Sequence, residues 1–175
     1  MIRELTTSDL SAVEEVFLNS FSQDEAPTNF AVINQLLREK TIPATLCLGY
    51  EQAGKIVGAV GFSPVYFASD SEVSAYLLAP LAVHESQQRQ GIAKQLINAA
   101  KAQFKDKGID ALLVYGDPSY YERHGFKADL GKHFIPPYPL EYEFGWQAML
   151  LNDLDVSNLK LRFTCVSALS DAVLW

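Results

Sequence analysis

The chain has 175 residues, 49% of them apolar and 20% charged, which fits one globular domain and excludes a disordered or fibrous chain. Fourteen basic side chains against 21 acidic ones leave a net charge of −7, so nucleic-acid binding through a broad positive face is excluded. Two cysteines, Cys47 and Cys165, are too few for a disulfide framework and belong to no CxxC or Cys/His cluster, which points to a reducing compartment and no metal.

The opening Met1-Ile2-Arg3-Glu4-Leu5 lacks the apolar core of a signal peptide, and the longest apolar run, Ala75 to Val83, is far too short to cross a bilayer. A cytoplasmic protein with no membrane partner is expected. Residues 2 to 5 read as a short strand. Thr6-Thr7-Ser8-Asp9 fits a capping box, and Leu10, Val13, Val16, Phe17 and Phe21 then recur at helical spacing, predicting a first helix to about Ser22. A looser second helix covers about Asn29 to Lys40, and Pro43 separates it from a hairpin strand, Thr45 to Glu51, turned by Ala53-Gly54. Lys55 to Phe67 and Glu72 to Val83, joined through Ser69-Asp70-Ser71, complete three antiparallel strands.

The period then changes. From Gly91 onward Ile92, Ala93, Leu96, Ile97, Ala100 and Phe104 share one helical face, and Lys107-Gly108 stops the helix. Asp110 to Gly116 follows as a buried strand, and strand, crossover helix, strand implies parallel pairing with the strand ending at Val83, hence a mixed sheet. A short helix at Pro118 to His124 is capped by Gly125. A loop rich in proline and aromatic residues spans Phe134 to Tyr142, and a strand lies near Trp146 to Leu151. Leu159, Leu161, Phe163 and Cys165 alternate with Lys160, Arg162, Thr164 and Val166 and predict one last half-buried strand. That strand and Trp175 either cover the sheet or join a second copy, so a homodimer is among the expectations. No linker or repeat divides the chain, and residues 1–175 are treated as a single domain.

Charge is uneven along this order. Residues 86 to 132 carry eight basic groups against five acidic ones, a mildly basic segment in an acidic protein, read either as solvated lysines or as a site for a small polyanion. Within it, Gln88-Arg89-Gln90-Gly91-Ile92-Ala93 opens the strongest helix. First-turn N–H groups lack partners within a helix and its dipole favours an anion there, while Gly91 and Ala93 allow close approach and Arg89 and Lys94 add charge. Such a string alone equally suits ordinary packing. Pro80 adds context, because proline in a central strand breaks the ladder and leaves backbone groups near Leu81 and Val83 open to an extended ligand.

A strand, a Q-x-x-G-x-A loop and helix, a strand, then Tyr120-Tyr121-Glu122-Arg123-His124-Gly125-Phe126 has the order and spacing of the GNAT superfamily of N-acetyltransferases, which residues 78 to 126 resemble. Gly116-Asp117-Pro118-Ser119-Tyr120-Tyr121, the proline-rich loop and the closing Leu161-Arg162-Phe163 further resemble acetyltransferases of the YhbS type. The resemblance implies an α/β (α+β) fold with a mixed, centrally splayed sheet and helices on both faces. It implies acetyl-CoA as acyl donor and an amine acceptor, with Gln88, Arg89, Gln90, Gly91, Ile92, Ala93 and Lys94 cradling the CoA diphosphate. Leu81, Ala82 and Val83 would meet the pantetheine, Tyr120 and Arg123 would also touch cofactor, and Tyr121 would protonate the departing thiolate, with Tyr120 one position away as the alternative.

Three departures matter. Ala93 stands at the second small position, Gly116-Asp117-Pro118 lacks the Asn often found where the second strand meets the short helix, which leaves one cofactor contact unassigned, and the strand Ala75 to Val83 carries no carboxylate to act as base. Glu72, Glu85, Glu141 and Glu143 are candidates for that role, each also readable as a surface acid. The first two helices and the loop Phe134 to Trp146 are expected to build the acceptor site, with Phe134, Tyr138, Tyr142 and Trp146 as its wall. A CoA-binding module without catalysis is the alternative function. A dinucleotide-binding fold is disfavoured by the missing G-x-G-x-x-G. His84, His124 and His133 have no metal-ligand spacing.

Overall fold

In the computed structural model, which describes residues 1–175, strand β1 (Ile2–Glu4) runs into Thr6 and a capping box. The Thr6 hydroxyl accepts from the Ser8 N–H while Asp9 accepts from the Thr6 N–H, so the reading of Thr6-Thr7-Ser8-Asp9 holds. Arg3 ties this corner together, its guanidinium lying 2.8 Å from both Asp9 and Glu51. Its hydrogen bond holds the Asp9 carboxyl down at about 2, with burial opposing. A carboxyl lowered by folding stabilises the fold above its ordinary value of 3.8, and that contribution fades as the pH falls toward 2. Asp9→Asn is therefore expected to cost about 1–2 kcal/mol at pH 7, or roughly 3–6 °C in Tm, and almost nothing at pH 2. Thermal unfolding at the two pH values checks this.

The chain forms two units, residues Met1–Phe62 with Ala79–Ala100 and residues Ser63–Leu78 with Lys101–Trp175. In the first, α1 (Leu10–Leu18) packs on α2 (Ala26–Arg38) through Phe17, whose ring lies 5.7 Å from Phe21 and 6.5 Å from Phe30. The second helix starts three residues earlier than its apolar spacing suggests, because Pro27 suits a first turn where no N–H is needed. Strand β2 (Leu46–Gln52) lies between β1 and β3 (Lys55–Tyr66), both antiparallel, joined by Ala53-Gly54 with φ of 50° and 75°. Positive φ at both turn residues matches the twist of a two-residue hairpin, as read.

Strand β4 (Ala75–Val83) follows β3, then α3 (Ile92–Asp106) and β5 (Ala111–Tyr115). The expected parallel pairing is present, from Ala75 opposite Ala111 to Leu78 opposite Val114, and it ends there, just before Ala79-Pro80. After α4 (Pro118–Tyr121), α5 (Ala128–Gly131) and β6 (Phe134–Ile135), β7 (Trp146–Leu150) pairs antiparallel with β5. The seven-stranded mixed sheet has the order β1-β2-β3-β4-β5-β7, with a further strand on β3.

That further strand corrects the sequence reading. Leu159 to Val166 is not one strand: β8 (Leu161–Arg162) pairs parallel with β6, and β9 (Thr164–Cys165) pairs antiparallel with Val65 and Tyr66 of β3. Phe163, between them, is 1% exposed and stacks 5.7 Å from Trp146, with Trp175 at 6.3 Å. Alternation foretold the burial of Phe163 and the exposure of Lys160, Arg162 and Thr164, but not that Val166 on the opposite side would be buried too, nor that the chain would change partners at the aromatic anchor. Trp175 donates to the Leu169 carbonyl at 3.0 Å, so both segments named as candidates for covering the sheet or meeting another copy have partners within the chain. No helix is long and apolar enough to cross a membrane.

Candidate active site

Val83 ends β4 with a chain reversal built from short-range bonds. The His84 N–H donates to Val57 of β3 at 2.9 Å, and the His84 ring nitrogen accepts from Ser86 to start a one-turn 3-10 helix, Glu85–Gln87. Consecutive residues of a strand send their backbone groups to opposite flanks. Since His84 faces β3, so does Ala82, while Leu81 and Val83 present theirs to the other flank of β4. The Val83 carbonyl there is taken by the Gln88 side chain at 3.0 Å. The Leu81 backbone and the Val83 N–H remain for an extended ligand.

From Gln88 the backbone turns through two left-handed residues, Arg89 at φ 61° and Gly91 at φ 79°. Glycine adopts this freely, but at Arg89 it costs about 1 kcal/mol, the kind of local strain that collects at binding loops. The first intrahelical bond of α3 runs from the Gln95 N–H to the Gly91 carbonyl at 3.0 Å, so the N–H groups of Ile92, Ala93 and Lys94 precede it. Gln88 to Gly91 and Lys94 are exposed, whereas Ile92 and Ala93 are 4% and 9% exposed. Ile92 serves packing, its side chain lying so close over Gly58 that a Cβ there would meet it at 2.8 Å. The Ile92 side chain is therefore not offered to an anion. A Cβ on Gly91 would meet nothing within 4 Å, so space lies open above the loop. Leu81 to Lys94 all belong to the first unit.

Tyr120, Tyr121 and Arg123 belong to the second unit. Asp117 caps α4 by accepting from the Ser119 N–H at 2.9 Å, and Gly125 ends the following turn at φ 100°. The Tyr121 ring lies against Gly116, where a Cβ would meet it at 2.5 Å, and packs edge-on to Tyr120 and Phe126. Burial, aided by the neighbouring Tyr120 phenol, holds the Tyr121 hydroxyl well above its ordinary pKa, so it is protonated at neutral pH. That hydroxyl makes no hydrogen bond within the chain. The Arg123 guanidinium sits 5.1 Å above the Tyr120 ring and donates to the Ser119 carbonyl, a contact that holds α4 together.

The wall expected from Phe134 to Trp146 divides. Phe134, Tyr138 and Trp146 line one cleft of about 520 Å³, with Lys132 and Arg162 at its edge. Tyr142 lines a second, of about 450 Å³, with Gly116 and Asp117. Both lie inside the second unit. Among the carboxylates considered as base, Glu72 and Glu85 are exposed, Glu143 lines the first cleft and Glu141 the second. Asp117 and residues 173–175, which also line the second cleft, escaped sequence reasoning. Burial raises both cysteine thiols to about 12, so neither is a nucleophile at neutral pH. The histidines have local roles: His84 in its turn, His124 against the Tyr120 ring at 5.2 Å, His133 beside the Leu159 carbonyl.

Residues 43–128 match the acetyltransferase (GNAT) domain. The uncharacterized N-acetyltransferase YjhQ of Escherichia coli is 30% identical over 138 residues, covering 78% of this chain and 75% of that protein. The uncharacterized N-acetyltransferase YhbS of Escherichia coli is 29% identical over 127 residues, 73% of each. The crystal structure of Escherichia coli YhbS in complex with CoA shares the fold at a TM-score of 0.80, with 24% identity over 96% of this chain and 90% of that one. A GNAT acetyltransferase from Brucella melitensis in complex with acetyl-CoA does so at 0.71, with 23% identity over 96% of each chain.

Proposed function

The chain belongs to the GNAT acetyltransferase family, and from that membership we propose that this acetyl-CoA-dependent enzyme acetylates a primary amine by direct attack within a ternary complex. The observation that carries the reading is the loop at the head of α3. Two left-handed residues, open space above Gly91 and the N–H groups ahead of the first helical bond together fit a diphosphate. Arg89 and Lys94 add charge from exposed positions, and the Leu81 backbone with the Val83 N–H suits the amides of a pantetheine arm.

Acetyl-CoA, when bound, supplies a thioester whose carbonyl carbon the amine nitrogen attacks, the C–N bond forming as C–S breaks and the electron pair leaves on sulfur. The chain has three tasks in that exchange. A backbone N–H near Val83 is the donor proposed for the developing oxyanion. Tyr121, kept protonated by its burial, donates to the leaving thiolate. The ammonium acceptor must shed a proton before attack, and with no carboxylate on β4 that proton leaves through loop carboxylates or water. With both cysteines held as thiols, direct transfer is favoured over an acyl-enzyme.

Gly116→Ala tests the placement of Tyr121 without touching its hydroxyl. The added methyl displaces the ring, and turnover is expected to fall about tenfold with CoA affinity unchanged. For the reaction itself, the experiment is release of free thiol from acetyl-CoA against a panel of amines, beside calorimetric titration with CoA. Binding with amine-dependent thiol release is expected. Binding without release from any amine would instead favour a module that holds CoA and catalyses nothing.

A further inference from the structure

The 450 Å³ cleft beside Tyr121 has a composition that selects its occupant. Its floor is rigid: the Gly116 N–H donates to the Gly145 carbonyl at 2.9 Å, and the buried Gln147 amide donates to the carbonyls of both glycines at 3.3 Å. Both glycines are needed there. A Cβ on Gly145 would meet the Gly116 carbonyl at 2.9 Å, and one on Gly116 would meet Tyr121. The walls are aromatic. Tyr115 and Trp175 stand nearly parallel, at 11° with centroids 6.4 Å apart, and Tyr142 and Phe144 lie 5.7 Å from each other. The Tyr115 hydroxyl accepts from the Tyr142 N–H at 2.8 Å, fixing the loop that carries them.

Phe144 and Tyr142 are 67% and 54% exposed, apolar surface that a flat ligand would cover. The charge at the cleft is of one sign. Glu141 and Asp117 line it and no basic residue does. Asp117 spends one carboxylate oxygen on its helix cap, the Ser119 N–H and hydroxyl both donating to Oδ1, which leaves Oδ2. Resting on the acetyl-transfer reading above, we infer that the acceptor is a primary ammonium carried on a flat apolar body, held in this cleft with its charge toward Glu141 and Asp117. Carboxylates select the cation, and the aromatic walls select the body. An acceptor that also bears a carboxylate is repelled, and a small polar amine leaves the walls uncovered.

The test compares three acceptors with acetyl-CoA: 2-phenylethylamine, phenylalanine, which adds a carboxylate, and 2-aminoethanol, which lacks the ring. The kcat/KM for phenylethylamine is expected to exceed each of the others by at least about tenfold. Glu141→Gln, at an exposed position, raises the KM for phenylethylamine about threefold to fivefold, and Phe144→Ala about tenfold, with the KM for acetyl-CoA unmoved. Calorimetric titration of the free protein with phenylethylamine reads the same factors in Kd. Equal or better use of phenylalanine or aminoethanol overturns the inference, as does an unchanged KM and Kd in both variants. A halving of mass by light scattering in Phe144→Ala makes the patch a contact between copies, and also overturns it. If amines are acetylated with another ranking, only this inference fails. If none is, the transfer reading fails with it.

Discussion

Tyr121→Phe lowers turnover with acetyl-CoA by about a hundredfold or more and leaves CoA affinity within about twofold. The structure makes this substitution clean. The ring's contacts, with Gly116, Tyr120 and Phe126, survive in phenylalanine, and the lost hydroxyl has no partner within the chain, so thermal stability should not fall. Because burial raises the phenol's pKa, its proton is present through and beyond pH 10. The rate for wild type should therefore rise with pH as the amine deprotonates and then hold, with no loss on the alkaline side from this group. Tyr120→Phe is the control. Its ring is clamped by Arg123, and turnover within about twofold of wild type would assign the acid to the second tyrosine of the pair. A hundredfold loss in Tyr120→Phe, with Tyr121→Phe unaffected, would shift the assignment by one residue.

Gly91→Val produces the corresponding loss in binding. Gly91 sits at φ 79°, which a β-branched residue resists by more than the 1–2 kcal/mol charged to an ordinary side chain, so the loop must rearrange or the valine must strain. Either way the N–H groups ahead of α3 lose their common focus and a side chain enters the space above them. The Kd for CoA measured by calorimetry is expected to rise at least about thirtyfold, while kcat at saturating acetyl-CoA changes little. Since nothing in the protein lies within 4 Å of the new Cβ, the fold has no cause to fail. An unchanged Kd would mean that the diphosphate sits elsewhere.

How much of this could be read beforehand depended on the range of the interaction. Helix α3 and its neighbouring strands were legible because period and punctuation agreed: apolar residues at helical spacing, then Gly108 at φ 73°, then a buried strand. Pro80 foretold where the β4 and β5 ladder ends, because a proline breaks the regularity of a central strand at a known place. The loop at the head of α3 was legible as residues but not as conformation. Nothing about Arg89 announces a left-handed backbone, and Ile92, grouped with the loop by position, turns its side chain into the core. The four-residue α5 and two-residue β6 are too short to leave a period.

The proposed acceptor side was the least legible. Phe134 and Trp146 were expected to wall the same pocket as Tyr142, and all are aromatic, but Trp146 donates its indole N–H to the Gly131 and Phe134 carbonyls and is core. Residues 173–175 reach Tyr115 and Gly116 from the far end of the chain, a juxtaposition made by the long-range aromatic cluster rather than by any local pattern. Asp117 caps α4 through Oδ1, and its place on the wall of the cleft is a property of the folded chain alone.

Titrating isotopically labelled protein with CoA while following its backbone amide resonances tests the central claim most directly. The largest shifts are expected at Arg89, Gln90, Gly91, Ile92, Ala93 and Lys94, with Leu81 and Val83 moving at the same ligand concentration. Saturating CoA that leaves those amides in place and moves others would contradict the assignment of the α3 loop as the diphosphate seat.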